Sequence, residues 1–274
     1  MGMQINTNVS ALNAYRNLSN TQNDLSKSLE KLSSGLRINR AADDAAGLAI
    51  SEGLRSQVNG LNVAARNAQD GISVIQTAEG ALTEVHSILQ RVRDLAVQAG
   101  SDSNNADSRT AIKTEIDALG DELTRVAAST NFNGIKLLSG GTTLTFQVGA
   151  GAVAAEDQIS VALTDFAGLG ADIKALTVDT AANALTTIAA IDTEIKGVST
   201  ARASYGALQN RFESTINSLN VSAENLAAAE SRIRDTDMAS EMVKFTSANI
   251  LSQAGTAMLA QANQANQGVL QLLR

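Results

Sequence analysis

Apolar residues recur at steps of three, four or seven near both ends of the chain, with polar residues between them. This spacing is typical of one stripe along an α-helix and is close to the heptad of a coiled coil. The N-terminal stripe comprises Ile5, Val9, Leu12, Leu18, Leu25, Leu29, Leu32 and Leu36, and the C-terminal stripe comprises Met238, Met242, Phe245, Leu251, Ala254, Met258, Ala262, Ala265, Val269 and Leu272. Neither stripe has a partner within its own segment. We therefore expect the two stripes to pack on each other, on other copies of the chain, or both.

Three further helices and a β-hairpin are predicted between these stripes. Apolar periodicity predicts helices over about residues 44–99, 108–128 and 182–232. The segments LTFQVGAG and DQISVAL alternate and are rich in β-branched residues, which predicts a hairpin, whereas residues 164–179 are weakly patterned. The predicted fold class is mainly α. Long antiparallel helices would form a hairpin-like coiled-coil rod, with a small β-hairpin region in the middle of the chain.

Composition agrees with long helices and restricts the classes of function. The chain has no proline, so no residue of that type interrupts a helix. Gly53, Gly60, Gly71 and Gly80 lie inside the first long helix and indicate close backbone approach, bending, or glycines that are simply tolerated. The net charge of −7 argues against nucleic acid as the main partner. No run of 18 apolar residues is present, so we expect no membrane span.

Two groups of residues invite a catalytic or metal-binding interpretation, and both are poor candidates. Asp43 and Asp44 are adjacent, and neighbours on a helix do not share a face, so a helix start is favoured over an acid–base pair. His86 is the only histidine and there is no cysteine, so an ordinary His/Cys zinc site cannot form. The sequence carries no HExxH motif and no phosphate loop. We therefore predict no catalytic residue, metal or cofactor, and do not expect an enzyme.

Three stretches carry a resemblance to a known family. LEKLSSGLRINRAADDAAGLAISEGLRSQ begins at Leu29, NFNGIKLL begins at Asn131, and SRIRDTDMASEMVKFTSANILSQAGTAMLAQANQ begins at Ser231. With the sequence around them, they resemble the N-terminal region, the boundary before the variable middle, and the C-terminal region of bacterial flagellins. The stretches occur in the family's order, and the resemblance covers most of the chain.

The resemblance implies a structural subunit that is exported unfolded, secreted, and polymerised into the extracellular flagellar filament. Residues 1–43 and 235–274 would form a terminal coiled-coil inner layer, residues 44–135 and 182–234 a long-helix shell, and residues 136–181 a short β-hairpin or variable insert. Arg37, Arg40, Asp43 and Asp44 would form the connector and subunit contacts. The inner-layer seam would comprise Ile5, Val9, Leu12, Leu18, Leu25, Leu29, Leu32, Leu36, Met258, Val269 and Leu272.

The resemblance also implies a set of partners. Other copies of the chain, an export chaperone at the C-terminal helix, and filament cap and hook-associated proteins belong to this set. A host innate-immune receptor would contact the LQRVRDL helix, where Gln90, Arg91 and Leu95, with Glu115 on the next helix, match the family's pattern. Read from the residues alone, the same helix face is a solvated surface or a self-contact.

Other classes of protein stay open at this point. A hook–filament junction protein shares the terminal helices with flagellins and is the main alternative. A signalling coiled coil, such as the cytoplasmic part of a chemoreceptor, also places Ala, Gln and Glu in heptads, but it would lack the predicted hairpin. Electron microscopy separates these classes, because only a filament subunit forms long tubes.

Overall fold

The computed structural model describes residues 8–140 and 142–272, and side chains as far as residue 264. Two compact units are present: unit 1 contains Met1–Ser56 and Asn225–Arg274, and unit 2 contains Gln57–Glu224. In chain order the elements are α1 (Val9–Ser34), α2 (Ala45–Ala99), α3 (Ala106–Ser129), β1 (Asn131–Phe132), β2 (Ile135–Lys136), β3 (Thr143–Gln147), α4 (Ala154–Asp157), β4 (Gln158–Ala162), α5 (Leu169–Ala175), α6 (Ala181–Arg234) and α7 (Met238–Leu272). The predicted fold class, mainly α with a β-hairpin in the middle of the chain, is confirmed. The predicted three-part division into layers stays a prediction.

The ends of the helices are set by short polar side chains and by glycine. The Asn8 side chain accepts a hydrogen bond from the Ala11 N–H at the start of α1, and Asn105 accepts one from the Ser108 N–H at the start of α3. Such caps satisfy backbone donors that have no partner within the helix. Gly35 ends α1 in the left-handed conformation, where a residue without Cβ is unstrained.

The core of unit 2 lies between α2, α3, α6 and the β3–β4 hairpin. Its largest fully buried side chains include Tyr205, Phe212, Leu82, Leu89, Leu95 and Ile116. Phe146 of β3 meets Phe212 of α6 edge to face, with ring centroids 5.7 Å apart. A Cβ at Gly71 of α2 would lie 2.9 Å from the Phe212 ring, so glycine gives that ring its room. The hairpin therefore belongs to the packed core.

The four glycines of α2 have different surroundings. Gly60 and Gly71 face close neighbours, Ala150 and Phe212, whereas Gly53 and Gly80 face open space. Close backbone approach therefore fits Gly60, Gly71 makes room for a side-chain ring, and Gly53 and Gly80 are tolerated.

The structure adds elements to those predicted. β1 and β2 form a small antiparallel pair around Asn133 and Gly134, both with positive φ. In the weakly patterned segment, α5 buries Leu169 and Ile173, which are one helical turn apart. α4 is a single turn in the connection between β3 and β4, immediately before β4.

Candidate functional site

Helices α1 and α7 pair along one seam within unit 1. The Asn8 Nδ2 donates to the Ala262 carbonyl at 2.9 Å, joining the start of α1 to the far part of α7, so the helices run antiparallel. The less exposed positions recur at alternating steps of three and four, the pattern of a coiled-coil interface. They are Ala11, Ala14, Leu18, Thr21, Leu25, Ser28 and Leu32 on α1, and Glu241, Phe245, Ala248, Ser252, Gly255, Leu259 and Ala262 on α7.

Small residues make up much of this seam, and they allow the two helices to approach closely. A Cβ built at Gly255 would lie 3.1 Å from Leu18 Cδ1 and 3.7 Å from Leu18 Cβ. Leu18 therefore fills the space that a larger residue at position 255 would need. The seam is closed at this level by one large and one small residue.

Glu241 is the ionisable residue among these seam positions. It is 4% exposed, and Lys244 donates to its Oε2 at 3.1 Å. Burial raises the pKa of Glu241, but hydrogen bonds from Ser28 and Lys244, with the charges of Lys244 and Lys31, lower it by more. The pKa of this carboxyl therefore lies below its ordinary value, and the side chain is a paired carboxylate at neutral pH.

Large apolar side chains outside the α1–α7 seam are exposed. They are between 48% and 68% exposed and comprise Val9, Leu12 and Leu29 on α1, with Met238, Met242, Val243, Ile250, Leu251 and Met258 on α7. Pairing of the two helices within one chain thus leaves a second apolar surface without cover in unit 1. Surfaces of this kind mark interaction sites in soluble proteins.

The predicted inner-layer residues fall into four groups. Leu18, Leu25 and Leu32 lie in the α1–α7 seam, and Val9, Leu12, Leu29 and Met258 lie on the exposed surface. Leu36 follows α1 and bridges to Asp235. Ile5 and the side chains of Val269 and Leu272 lie outside the described residues.

The connector between α1 and α2 is tied to the segment between α6 and α7. The Arg37 N–H donates to the Arg234 carbonyl at 2.6 Å, and the Thr236 N–H donates to the Gly35 carbonyl at 3.0 Å. The Arg37 side chain donates to the Ile233 carbonyl at 2.6 Å. These bonds hold the end of α1 against the start of α7. The Arg40 guanidinium is exposed and binds Glu30 at 2.8 Å through one nitrogen.

The two adjacent aspartates have separate structural tasks. Asp44 Oδ1 accepts from the Gly47 N–H at 2.8 Å and so caps α2, which confirms a helix start for this residue. Asp43 Oδ2 instead accepts from the N–H groups of Arg40 and Asn39, at 3.0 and 3.1 Å, within the connector turn. These bonds lower the pKa of Asp43. Both carboxylates are thus used to fix the backbone.

The predicted receptor-contact residues divide into exposed and buried. Arg91 on α2 donates from Nε and Nη2 to Glu115 Oε1 on α3, at 2.9 and 2.6 Å, and both side chains are exposed. Gln90 is exposed and hydrogen-bonds His86 on the preceding turn. Leu95 is 2% exposed and lies in the unit 2 core. The Leu95 side chain is covered by its own chain, unlike those of Gln90 and Arg91, and its part in a receptor contact stays a prediction.

Neither a metal site nor a membrane-spanning helix is present in the described ranges, 8–140 and 142–272. No group of three His, Cys, Asp or Glu side chains in them is placed to hold a metal ion. None of the helices within these ranges has the length and apolar character needed to cross a bilayer. The surface of most interest for binding is therefore that of the helix pair α1 and α7, together with the connector between α1 and α2.

Comparisons with known proteins identify the family. Residues 5–143 match the bacterial flagellin N-terminal helical region, and residues 188–273 match the bacterial flagellin C-terminal helical region. The chain is 52% identical to the flagellin of Halalkalibacterium halodurans and 50% identical to that of Bacillus subtilis, in each case over 99% of this chain and 100% of the relative. It is 47% identical to the flagellar filament 33 kDa core protein of Treponema phagedenis, with the same coverage.

Solved structures agree with this assignment. The crystal structure of Bacillus cereus flagellin is 32% identical, with a TM-score of 0.51 over 60% of this chain and 94% of that one. A putative flagellar hook-associated protein from Vibrio parahaemolyticus has a TM-score of 0.59, over 70% of this chain and 100% of that one, at 14% identity. The latter likeness shows a shared fold alone and does not favour the hook–filament junction alternative. The chain therefore belongs to the bacterial flagellin family and is a structural subunit of the flagellar filament.

Proposed function

We propose that the exposed apolar faces of α1 and α7 are the surfaces through which copies of this chain contact one another in the filament. The observation that carries this proposal is that α1 and α7 already close one seam together and still expose large apolar residues, among them Val9, Leu12, Leu251 and Met258. An open helical polymer needs contacts between different surfaces of successive copies. The exposed faces of α1 and α7 are two different surfaces, so the face of one helix can contact the face of the other helix on the next copy.

Burial of these side chains supplies the free energy of association. Completing the burial of a half-exposed Leu, Met or Val contributes about 1 kcal/mol, half of the value for full burial. Summed over the exposed set on α1 and α7, the contribution is several kcal/mol per copy before the entropy of association is subtracted. In this proposal Val9, Leu12, Leu29 and Met258 contact neighbouring copies, and the connector residues orient them. Arg40 keeps most of its guanidinium donors free for such a contact.

Substitution on the exposed face of α7 tests this proposal. Leu251→Ser and Met258→Ser remove apolar surface that the chain's own fold does not cover, so far-UV circular dichroism should be unchanged. Filament yield, measured by sedimentation and electron microscopy of negatively stained samples, should fall strongly. Gln253→Ser is the matched control, because it is an exposed polar residue on the same helix and should leave filament yield unchanged. Wild-type filament yield from the Leu251→Ser, Met258→Ser double variant would refute the proposal.

We further propose that the chain is secreted, and that its filament lies outside the cell. Export in an unfolded state is compatible with a chain that has neither proline nor cysteine, because neither X-Pro isomerisation nor oxidation delays refolding. An export chaperone at α7, with cap and hook-associated proteins at the filament ends, completes the proposed set of partners. Secretion is tested by assaying the culture medium for the full-length chain. The α7 contact is tested by co-purification: a chaperone should co-purify with the chain and not with a variant that lacks residues 238–274.

We propose that a host innate-immune receptor contacts Gln90, Arg91 and Glu115, whose side chains are exposed. Arg91→Ala should reduce activation of a flagellin-responsive innate-immune receptor, since it removes a guanidinium presented on the surface of α2 and α3. Arg125→Ala is the control, because Arg125 forms a similar exposed pair with Glu122 on α3. Equal activation by the Arg91 variant and wild type would remove the receptor from the list of partners.

A further inference from the structure

The turn between β1 and β2 contains one of the two Asn-Gly dipeptides in the chain. Asn133 and Gly134 reverse the chain between Phe132 and Ile135, which pair with each other. Asn133 has φ of 48° and Gly134 has φ of 82°. A left-handed conformation is costly for a residue with a side chain, although asparagine tolerates it better than most. The other dipeptide, Asn59-Gly60, lies well inside α2.

We propose that Asn133 is a site of spontaneous deamidation, and that Asn59 is protected by the helix around it. In this reaction the Gly134 amide nitrogen attacks the Asn133 side-chain carbonyl carbon and forms a C–N bond. The side-chain nitrogen leaves as ammonia, and a five-membered succinimide results. Water then opens the ring at either carbonyl, which gives aspartate or isoaspartate. The net change is one water consumed and one ammonia released.

The surroundings of the turn leave the attacking nitrogen and its target free. A Cβ built at Gly134 would have no heavy atom within 4 Å, and Asn133 is exposed. Within the described part of the chain, the Asn133 side-chain amide makes no hydrogen bond. By contrast, the neighbouring Asn131 amide donates to the Ser129 carbonyl at 2.8 Å. Because glycine follows Asn133, no side chain obstructs approach to the nitrogen.

Only a small part of the structure must open before the Gly134 nitrogen can attack the Asn133 side chain. β1 and β2 have two residues each, so opening the turn costs little beyond two backbone pairings. Asn59 is equally exposed but has helix on both sides, and the helix ladder uses the Gly60 N–H. Gly60 is also held close to Ala150. Attack at Asn59 therefore requires local unfolding of α2, which attack at Asn133 does not.

The product alters the turn that produced it. Isoaspartate routes the backbone through the former side chain and adds one backbone atom to a two-residue turn. Such a turn has no slack for the extra atom, so pairing of β1 with β2 should be lost. The next hydrogen bond toward α3, from the Leu137 N–H to the Thr130 carbonyl at 3.2 Å, should weaken with it.

The test compares the two sites within one sample of the full-length chain. Trypsin releases SQVNGLNVAAR, which carries Asn59, and VAASTNFNGIK, which carries Asn133. After incubation of the native chain in mildly alkaline buffer, mass spectrometry should show amide-to-acid conversion at Asn133 at least about tenfold faster than at Asn59. A protein-isoaspartate methyltransferase should label the Asn133 peptide. In urea the two rates should become similar, because each site is then an Asn-Gly dipeptide in an unfolded chain.

Two results would overturn the inference. Conversion at Asn59 as fast as at Asn133 in the native chain would show that the helix gives no protection. Absence of conversion at Asn133 in the native chain, with conversion of both sites in urea, would show that the turn itself protects its asparagine. Asn133→Gln keeps an amide but lengthens the side chain, and it should abolish the reaction in the Asn133 peptide without changing the Asn59 peptide.

Discussion

Replacement of Leu95 by alanine tests whether this residue stabilises the core or takes part in a surface contact. Leu95 lies on α2, four residues after Arg91, so the two share one side of a helix in projection. The structure nevertheless covers Leu95 almost completely, in a cluster that includes Val92, Ala96 and Ala99. We therefore expect Leu95→Ala to act on the stability of unit 2 and not on a surface contact.

The magnitude follows from the buried volume. Leu→Ala removes three carbon atoms, which at about 0.8 kcal/mol per methylene gives roughly 2.4 kcal/mol of lost transfer free energy. The cavity left in a core that relaxes only partly brings the expected loss to about 2–5 kcal/mol. Val97→Ala is the matched control, since Val97 is 50% exposed on the same helix and should change stability by no more than about 0.5 kcal/mol.

Urea unfolding followed by far-UV circular dichroism measures both variants. The midpoint should fall for Leu95→Ala at an unchanged m value, which indicates a change in stability without a change in the surface exposed on unfolding. A loss of less than about 1 kcal/mol, or a loss equal to that of Val97→Ala, would refute the assignment of Leu95 to the core. Loss of receptor activation by Leu95→Ala at temperatures where the variant is folded would also contradict it.

Three further predictions concern unit 1. The double variant Leu18→Cys, Gly255→Cys should form an intrachain disulfide, since the two Cβ positions lie 3.7 Å apart. Non-reducing electrophoresis detects the bond, which should add about 5 kcal/mol to the free energy of unfolding if its effect is on chain entropy. Gly47→Ala should cost about 1–3 kcal/mol in urea unfolding because its Cβ would meet the side chain that caps α2, whereas Gly53→Ala faces open space and should stabilise by up to about 1 kcal/mol. The lowered pKa of Asp43 contributes stability that is present above about pH 4 and is lost as pH falls through the folded-state pKa. Asp43→Asn should therefore be less stable than wild type at neutral pH, and the difference in stability should disappear in acid. A difference that persists unchanged into acid would contradict the last of these.

The long helices were predictable from the sequence because they are long. The helix predicted over 182–232 is observed as Ala181–Arg234, and the one predicted over 44–99 is observed as Ala45–Ala99. A periodic apolar signal over many turns outweighs local exceptions, and the absence of proline removes the strongest interruption. The hairpin of β3 and β4 was predictable from strict alternation.

The short elements and the pairing of α1 with α7 could not be obtained in the same way. α4 has four residues and α5 has seven, so both are too short for periodicity to reveal them. The Asn-Gly dipeptide at position 133 is a standard hairpin signal, but its strands have two residues each. On α1 the size of Val9, Leu12 and Leu29 marked them as seam residues, whereas the seam to α7 uses smaller residues between its leucines.

The burial of Leu95 could not be predicted from the motif around it, because it depends on how α2 packs in the fold. Arg91 and Leu95 belong to the same short sequence, and resemblance assigns both to one surface. Packing of α2 against α3 and α6 places only one of them in contact with water. Residues carried over from a family pattern therefore need the structure before a role in contact is assigned.

The antiparallel pair joins residues 254 positions apart, as the bond between Asn8 and Ala262 shows. A nascent chain emerging from the ribosome presents α1 long before α7 has been translated, and so it lacks the closed helix pair. Contacts that are this distant in sequence form late in folding. The two-helix surface is therefore complete only when translation has passed the last turns of α7.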